Sequence, residues 1–305
     1  MIDNPARRLA SLLEPIVGQV YFAPECHRGY EALGFGPSPG KTGKVELPDG
    51  PAYFTSRGSL MGQVPGEVVA AAFGVFNPAV VVPMVALGWT RTDAKTICAA
   101  RTSGAIAQLA RILGERPAGV ERARDLLMAT AAPLRPEGRA LFAGALSQGY
   151  PGSPLADVWH AGDLLREYRG DAHIAAWTSA GLTAPEIGLL TELYWGLPLR
   201  SYIRTRAWSN ADLDDAEAGL RDRGLLTPAG PSTSGPSTSG LTDRGRQQRE
   251  DIEIATDRAM DCALSALGPD APELFGILEP WGVAIRKAGG YLSSGPHDLA
   301  NAAAR

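Results

Sequence analysis

Arg223-Gly224-Leu225-Leu226-Thr227, resumed further on by Leu241-Thr242-Asp243-Arg244-Gly245, is the stretch that decides how this chain folds. A helix predicted over 210–223 runs into Gly224, the residue type that most readily stops a helix in a left-handed turn. Leu225 to Thr227 then begins a short strand, and Thr242 caps a new long helix predicted over 242–267. Between the two lies Gly230-Pro231-Ser232-Thr233-Ser234-Gly235-Pro236-Ser237-Thr238-Ser239-Gly240, a repeated low-complexity unit with nothing to bury. It is expected to be disordered.

The order helix, RGLL, loop, LTxxGR, helix resembles the wing of a winged helix-turn-helix domain of the MarR type, which makes residues 230–240 the wing tip. The chain as a whole also resembles an actinobacterial family of winged-helix proteins. The residues that carry this are Leu12-Leu13-Glu14-Pro15-Ile16, Tyr21-Phe22-Ala23-Pro24-Glu25, Gly66-Glu67-Val68-Val69, Val158-Trp159-His160, Leu165-Arg166-Glu167-Tyr168-Arg169-Gly170-Asp171-Ala172-His173 and Ala255-Thr256-Asp257-Arg258. The resemblance implies a mainly α, winged helix-turn-helix fold and supplies no mechanism.

Working outward, apolar periodicity predicts helices over 6–22 (interrupted by Pro15), 64–75, 93–113, 120–131, 155–180, 184–194 and a last one over 271–289, with a loop at 34–51. Two weak echoes suggest two pseudo-repeated halves packed through long helices. Trp89-Thr90-Arg91-Thr92-Asp93 parallels Trp208-Ser209-Asn210-Ala211-Asp212, each readable as a hydroxyl cap completed by an Asp three residues on. His27-Arg28-Gly29-Tyr30 parallels Tyr168-Arg169-Gly170-Asp171. The expected division is an N-terminal, degenerate winged-helix-like half at 1–132, a connector at 133–154 with one short helix, and a C-terminal winged-helix half at 155–305.

Of 305 residues, 45% are hydrophobic and 20% charged, an ordinary globular balance. A net charge of -4 gives no overall attraction to a phosphate backbone. Cys26, Cys98 and Cys262 are too few and too scattered for a disulfide framework or a CxxC metal site. With no signal-peptide pattern at the N-terminus and no long apolar run, a cytoplasmic protein without membrane contact is expected. The four histidines lack zinc-helix spacing, and no GxGxxG or GxxxxGK[ST] occurs, so neither a metal nor another cofactor is expected.

The charged stretch at 164–173 holds the candidate chemistry. At helical spacing His160, Glu167 and Asp171 share one face and Arg166, Gly170 and His173 its neighbour, while Val158, Leu165, Ala172 and Ala176 lie opposite and should pack inward. Glu167, Asp171, His173 and His160 are candidate acid-base groups. Arg166, Arg169 and Arg57 are candidates for holding an anion, with Tyr21, Phe22 and Phe54 as apolar walls and Glu25 and His27 brought near by the second echo. The competing reading makes the same residues a structural ion-pair network. Gly170 inside a helix suggests close approach of a ligand or another backbone.

The helix at 210–223, which would read DNA, carries Asp212, Asp214, Asp215, Glu217 and Asp222 against Arg221 and Arg223. Such a face is repelled by a duplex, so DNA is an unfavoured partner. The leading expectation is a protein that does not chiefly bind DNA but holds a small organic molecule, anionic or neutral, between its halves, with or without acid-base catalysis. The alternatives are a MarR-like dimeric regulator contacting DNA through Arg200, Arg204, Arg206 and Arg244, and an interaction protein with neither activity.

Overall fold

A computed structural model describes residues 4–228 and 239–292. Helices follow one another along the chain: α1 (Pro5–Val17), α2 (Pro24–Ala32), α3 (Gly50–Gly58), α4 (Gly66–Phe73), α5 (Pro78–Trp89), α6 (Ala94–Leu113), α7 (Val120–Ala131), α8 (Ala140–Gln148), α9 (Pro154–Ser179), α10 (Ala184–Tyr194), α11 (Asn210–Asp222), α12 (Asp243–Arg258), α13 (Asp261–Leu267) and α14 (Ala271–Lys287). Within the expected loop at 34–51, β1 (Lys41–Thr42) and β2 (Val45–Glu46) pair antiparallel, with Lys41 opposite Glu46.

Two hydrophobic cores organise these elements. The larger draws on α1 to α8, the first two-thirds of α9, α13 and α14, with Trp159, Phe142, Leu127 and Ile285 at its centre. The smaller gathers Trp177 from the end of α9, Leu189 and Leu190 from α10, Leu213 and Leu220 from α11, and Ile252 from α12. The partition therefore does not follow a cut at 133–154: α9 serves both cores, and α13 and α14 return to the larger one. The reason lies at residues 259–260, where the long helix expected over 242–267 breaks. The turn lets Met260 and Leu267 bury in the larger core while Ile252 stays in the smaller.

α9 departs from the expected wheel. From Leu155 to Leu165 every side chain is buried, polar and apolar alike, because α1, α6, α7, α8 and α12 surround the helix. There is no inward apolar face opposed to an outward polar one.

α10 and α11 pack against each other, each started by a reciprocal capping box, Thr183 with Glu186 and Ser209 with Asp212. Gly188 in α10 allows Ile203 of the intervening loop to lie against the helix, since a methyl there would overlap the Ile203 side chain. After Gly224, Leu226 bridges Leu241 antiparallel and Thr227 N–H donates to the Gly240 carbonyl at 2.9 Å. Residues 230–238 of the expected tip lie outside the described residues. Ser239 is buried and accepts from Arg221 at 2.9 Å, so the segment is anchored there.

The two Trp-containing echoes fold differently. Ser209 caps α11 with Asp212 three residues into the helix, but Thr90 closes α5 and Asp93 is itself the cap of α6, accepting from Thr96 N–H at 2.8 Å. The similar letters thus sit one helix junction apart in role. The prolines also act as terminators in one case: α1 ends at Val17, two residues beyond Pro15, and continues only as a 3-10 turn.

Candidate ligand-binding site

The charges of α9 are held by neighbours on several elements. Glu167 is fully buried and receives Arg57 through Nε (3.1 Å) and Nη2 (2.7 Å), Arg166 Nη1 (3.2 Å) and the Tyr21 hydroxyl (3.4 Å). Burial alone would raise its pKa, but the two guanidinium charges prevail and hold it at about 2. Arg166 also grips Glu14 of α1 at 3.0 and 3.2 Å, and the Tyr291 hydroxyl donates to the same carboxylate. Arg169 reaches Glu253 (2.5 Å) and Asp257 (3.1 Å) of α12, where Arg249 and Arg7 share those acids.

The proposed acid-base residues do not converge on one reacting position. Asp171 accepts the Phe142 backbone N–H at 3.0 Å and so caps α8, whose own first turn has no side-chain cap; burial raises its pKa to about 6. His160 lies edge-on to Tyr150 and burial lowers its pKa. His173 bonds Thr256 Oγ1 at 3.1 Å, and burial lowers it to about 3, which keeps it neutral. Of the other candidates, Phe54 sits in an aromatic cluster with Tyr53, Phe73 and Phe76, and Phe22 lies edge-on to Tyr291. Glu25 pairs with Arg111 on α6 and His27 bonds the Tyr21 carbonyl and faces Glu46, so the second echo does not bring them to α9.

Where α9, α1, α10 and α12 meet, a cavity of 320 Å³ opens between the two cores. Its wall carries five arginines (Arg7, Arg166, Arg169, Arg206 and Arg249) against two acids, Glu14 and Glu253, with His173, Trp195 and Ile203 among the remainder. A second cavity of 210 Å³ shares Ala10, Glu14, Arg166, Arg169 and His173 with the first, and Arg57 lines it as well. The sequence-predicted residues brought to these cavities are therefore Arg166, Arg169, His173 and Arg57, with Glu167 and Tyr21 bracing the arginines from behind.

Among the described residues, Arg206 is the arginine of this cavity wall that pairs with no carboxylate. It lies over the rings of Phe76 (4.6 Å) and Tyr202 (4.4 Å), and its Nε is buried with no hydrogen bond. The loop that presents it is held at both ends. The buried Glu192 carboxylate accepts backbone N–H groups from Arg200 (2.6 Å), Ile203 (2.6 Å) and Tyr202, while Asn77 binds the Arg206 and Ala207 carbonyls at 3.0 and 3.1 Å. Arg200 and Ala207 both take left-handed backbone at φ 63, which costs roughly 1 kcal/mol apiece for a residue with a Cβ. Residues held in such conformations concentrate at functional loops.

Arg7, Glu14, Arg249 and Glu253 were not proposed from the sequence as site residues, and Arg206 was proposed only as a DNA contact of the regulator alternative. Part of the signal was present: Arg249, Glu253 and Asp257 recur every four residues along α12, and Arg7 and Glu14 lie seven apart on α1, a spacing that sets them on one face. Nothing in the sequence marks Arg206 for the cavity, to which it is brought by the loop between α10 and α11.

On α11 the exposed charged residues are Asp214, Asp215 and Asp222. Arg221 is tied to Glu217 and Arg223 to Glu186, and Arg200 is tied to Asp214 and Glu217 at 2.6 and 2.5 Å. Arg204, Arg244 and Arg246 remain exposed nearby. Among the described residues no group of His, Cys, Asp and Glu is placed to hold a metal ion, and no helix is long and apolar enough to cross a membrane.

Comparison with curated proteins, and separately with solved structures, gave no significant match. A family model described as a helix-turn-helix family matches residues 6–292, from the first turn of α1 to beyond α14. The chain belongs to that helix-turn-helix family.

Proposed function

We propose that this protein binds a small organic anion in the cavity between its helix-turn-helix module and its helical body, and that it does not chiefly bind DNA. The observation that carries the reading is Arg206. Six arginines in the two cavity walls (Arg7, Arg57, Arg166, Arg169, Arg206 and Arg249) face five carboxylates, Glu14 and Glu253 of the walls and their ion-pair neighbours Glu167, Glu250 and Asp257. Six less five leaves one positive charge, and Arg206 is where it stays. A partly buried guanidinium without a counter-charge is costly, and a ligand carboxylate supplies the missing partner in a bidentate geometry.

Binding without catalysis fits the site better than the acid-base alternative. Glu167 is saturated with donors and far too weak a base, and Asp171 is spent on capping α8. In this reading the Leu226–Leu241 pairing is the base of a wing, and the module is a winged helix-turn-helix whose role is to close one side of the cavity.

A thermal-shift titration tests this. Benzoate should raise the melting temperature of the full chain by mass action, neutral benzamide should not, and Arg206→Ala should abolish the benzoate effect while leaving a folded protein. Equal responses to benzoate and benzamide, or none to either, would overturn the reading.

A second reading is a ligand-responsive DNA regulator. It is favoured by the helix-turn-helix family membership and by the exposed Arg204, Arg244 and Arg246. It is opposed by the acidic exposed face of α11.

A further inference from the structure

The smaller cavity shares a charged side with the larger one and adds an apolar side of its own. Beyond the shared residues and Arg57, its wall is made by Ala6, Leu9, Leu13, Leu165 and Met260, all buried, and by Gly170. Gly170 sits mid-way along a 26-residue helix, where glycine costs about 1 kcal/mol relative to alanine. The protein itself gives no reason for that cost. A Cβ at 170 would find only Glu167 Oε2, at 3.9 Å, an ordinary contact, whereas one at Gly162 of the same helix would strike Val17 at 2.7 Å. Gly162 is required by packing; Gly170 faces open volume.

We propose that this chamber takes the apolar body of an amphipathic organic monoanion whose charged end is held in the arginine-lined cavity, and that Gly170 sets how large that body is. The inference rests on the anion-binding reading above. The shared wall of Arg166, Arg169 and His173 places charge and neutral imidazole at the junction, so that a molecule spanning both chambers keeps its carboxylate among guanidiniums and its carbon skeleton among Leu9, Leu13, Leu165 and Met260. An apolar cavity of about 150 Å³ takes up benzene. At 210 Å³ the chamber suits one substituted ring or a short alkyl chain. The ligand class is a hydrophobic carboxylic acid, not a polyphosphate or a sugar acid.

Calorimetric titration of the full chain with acetate, butyrate, hexanoate and octanoate separates this inference from the reading beneath it. Affinity should rise by roughly fourfold per methylene that enters the chamber. Gly170→Ala should raise the melting temperature, because it removes a helix-interior glycine without a clash, and yet weaken octanoate several-fold while leaving acetate unchanged. Gly170→Leu should flatten the series altogether. If the four acids bind alike, or if Gly170→Ala leaves octanoate affinity intact, the chamber is not a subsite, although the anion site stands. If none of the acids binds and benzoate is also silent, both fail.

Discussion

Arg101 and Asp163 meet in a two-point ion pair between α6 and α9, at 2.9 and 3.0 Å, with each side chain 1% exposed. The Arg101 guanidinium also lies over the Trp159 ring at 5.0 Å. Neither residue lines a described cavity, so the pair registers two helices and takes no part in binding. Arg101→Ala or Asp163→Ala alone should cost about 3–5 kcal/mol in urea unfolding, since each strands a buried charge. The double replacement Arg101→Met with Asp163→Leu should recover most of that loss. Equal destabilisation of the double and single variants would contradict the assignment.

Asp171 should separate its cap from its charge. Asp171→Ala loses the bond to Phe142 N–H and should cost about 1 kcal/mol, as for other helix caps. Asp171→Asn keeps an acceptor. Because the folded pKa, about 6, lies above the ordinary value near 3.9, stability is fully present below that ordinary value and falls as pH rises through 6. Unfolding curves across this window should therefore be flatter for Asp171→Asn than for the parent chain.

Glu167 should act in the opposite sense. Its folded pKa near 2 lies below the ordinary value of about 4.3, so its contribution is present above pH 4.3 and is lost as pH falls toward 2. Glu167→Gln should remove part of the acid limb and, at neutral pH, destabilise by about 3–5 kcal/mol by unpairing Arg57 and Arg166. A stable Glu167→Gln protein would reopen the acid-base reading.

The acidic face of α11 makes a prediction about DNA. In fluorescence anisotropy with a labelled duplex, the parent chain should bind weakly, and Asp214→Lys, Asp215→Lys and Asp222→Lys together should strengthen binding and steepen its salt dependence by roughly 0.9 per phosphate newly contacted. Tight binding by the parent chain, weakened by Arg204→Ala, would favour the regulator reading.

How legible was this in the sequence? Most of the helices were, because Thr183, Ser209 and Thr242 are capping residues at the starts of expected helices and apolar periodicity holds between them, whereas α2, α3 and α5 were not expected and the helix expected over 242–267 breaks into α12 and α13. The Leu226–Leu241 pairing followed from the Gly224 stop and the Thr242 restart. The charged run of α9 was visible as a site or a network; Glu167 and Asp171 are held by structural partners, while Arg166, Arg169 and His173 line the cavities where the proposed site lies. What could not be read is which elements surround a helix. That α9 is enclosed by α1, α6, α7, α8 and α12 depends on tertiary contacts among distant segments, and so does the placement of Arg206 by Glu192 and Asn77.

The central claim is the location of the anion, and anomalous diffraction from crystals grown with 4-bromobenzoate tests it most directly. The account predicts a bromine peak in the cavities between α1, α9 and α12, with the carboxylate beside Arg206. A bromine peak only elsewhere on the molecule, with these cavities left to solvent at saturating ligand, would contradict it.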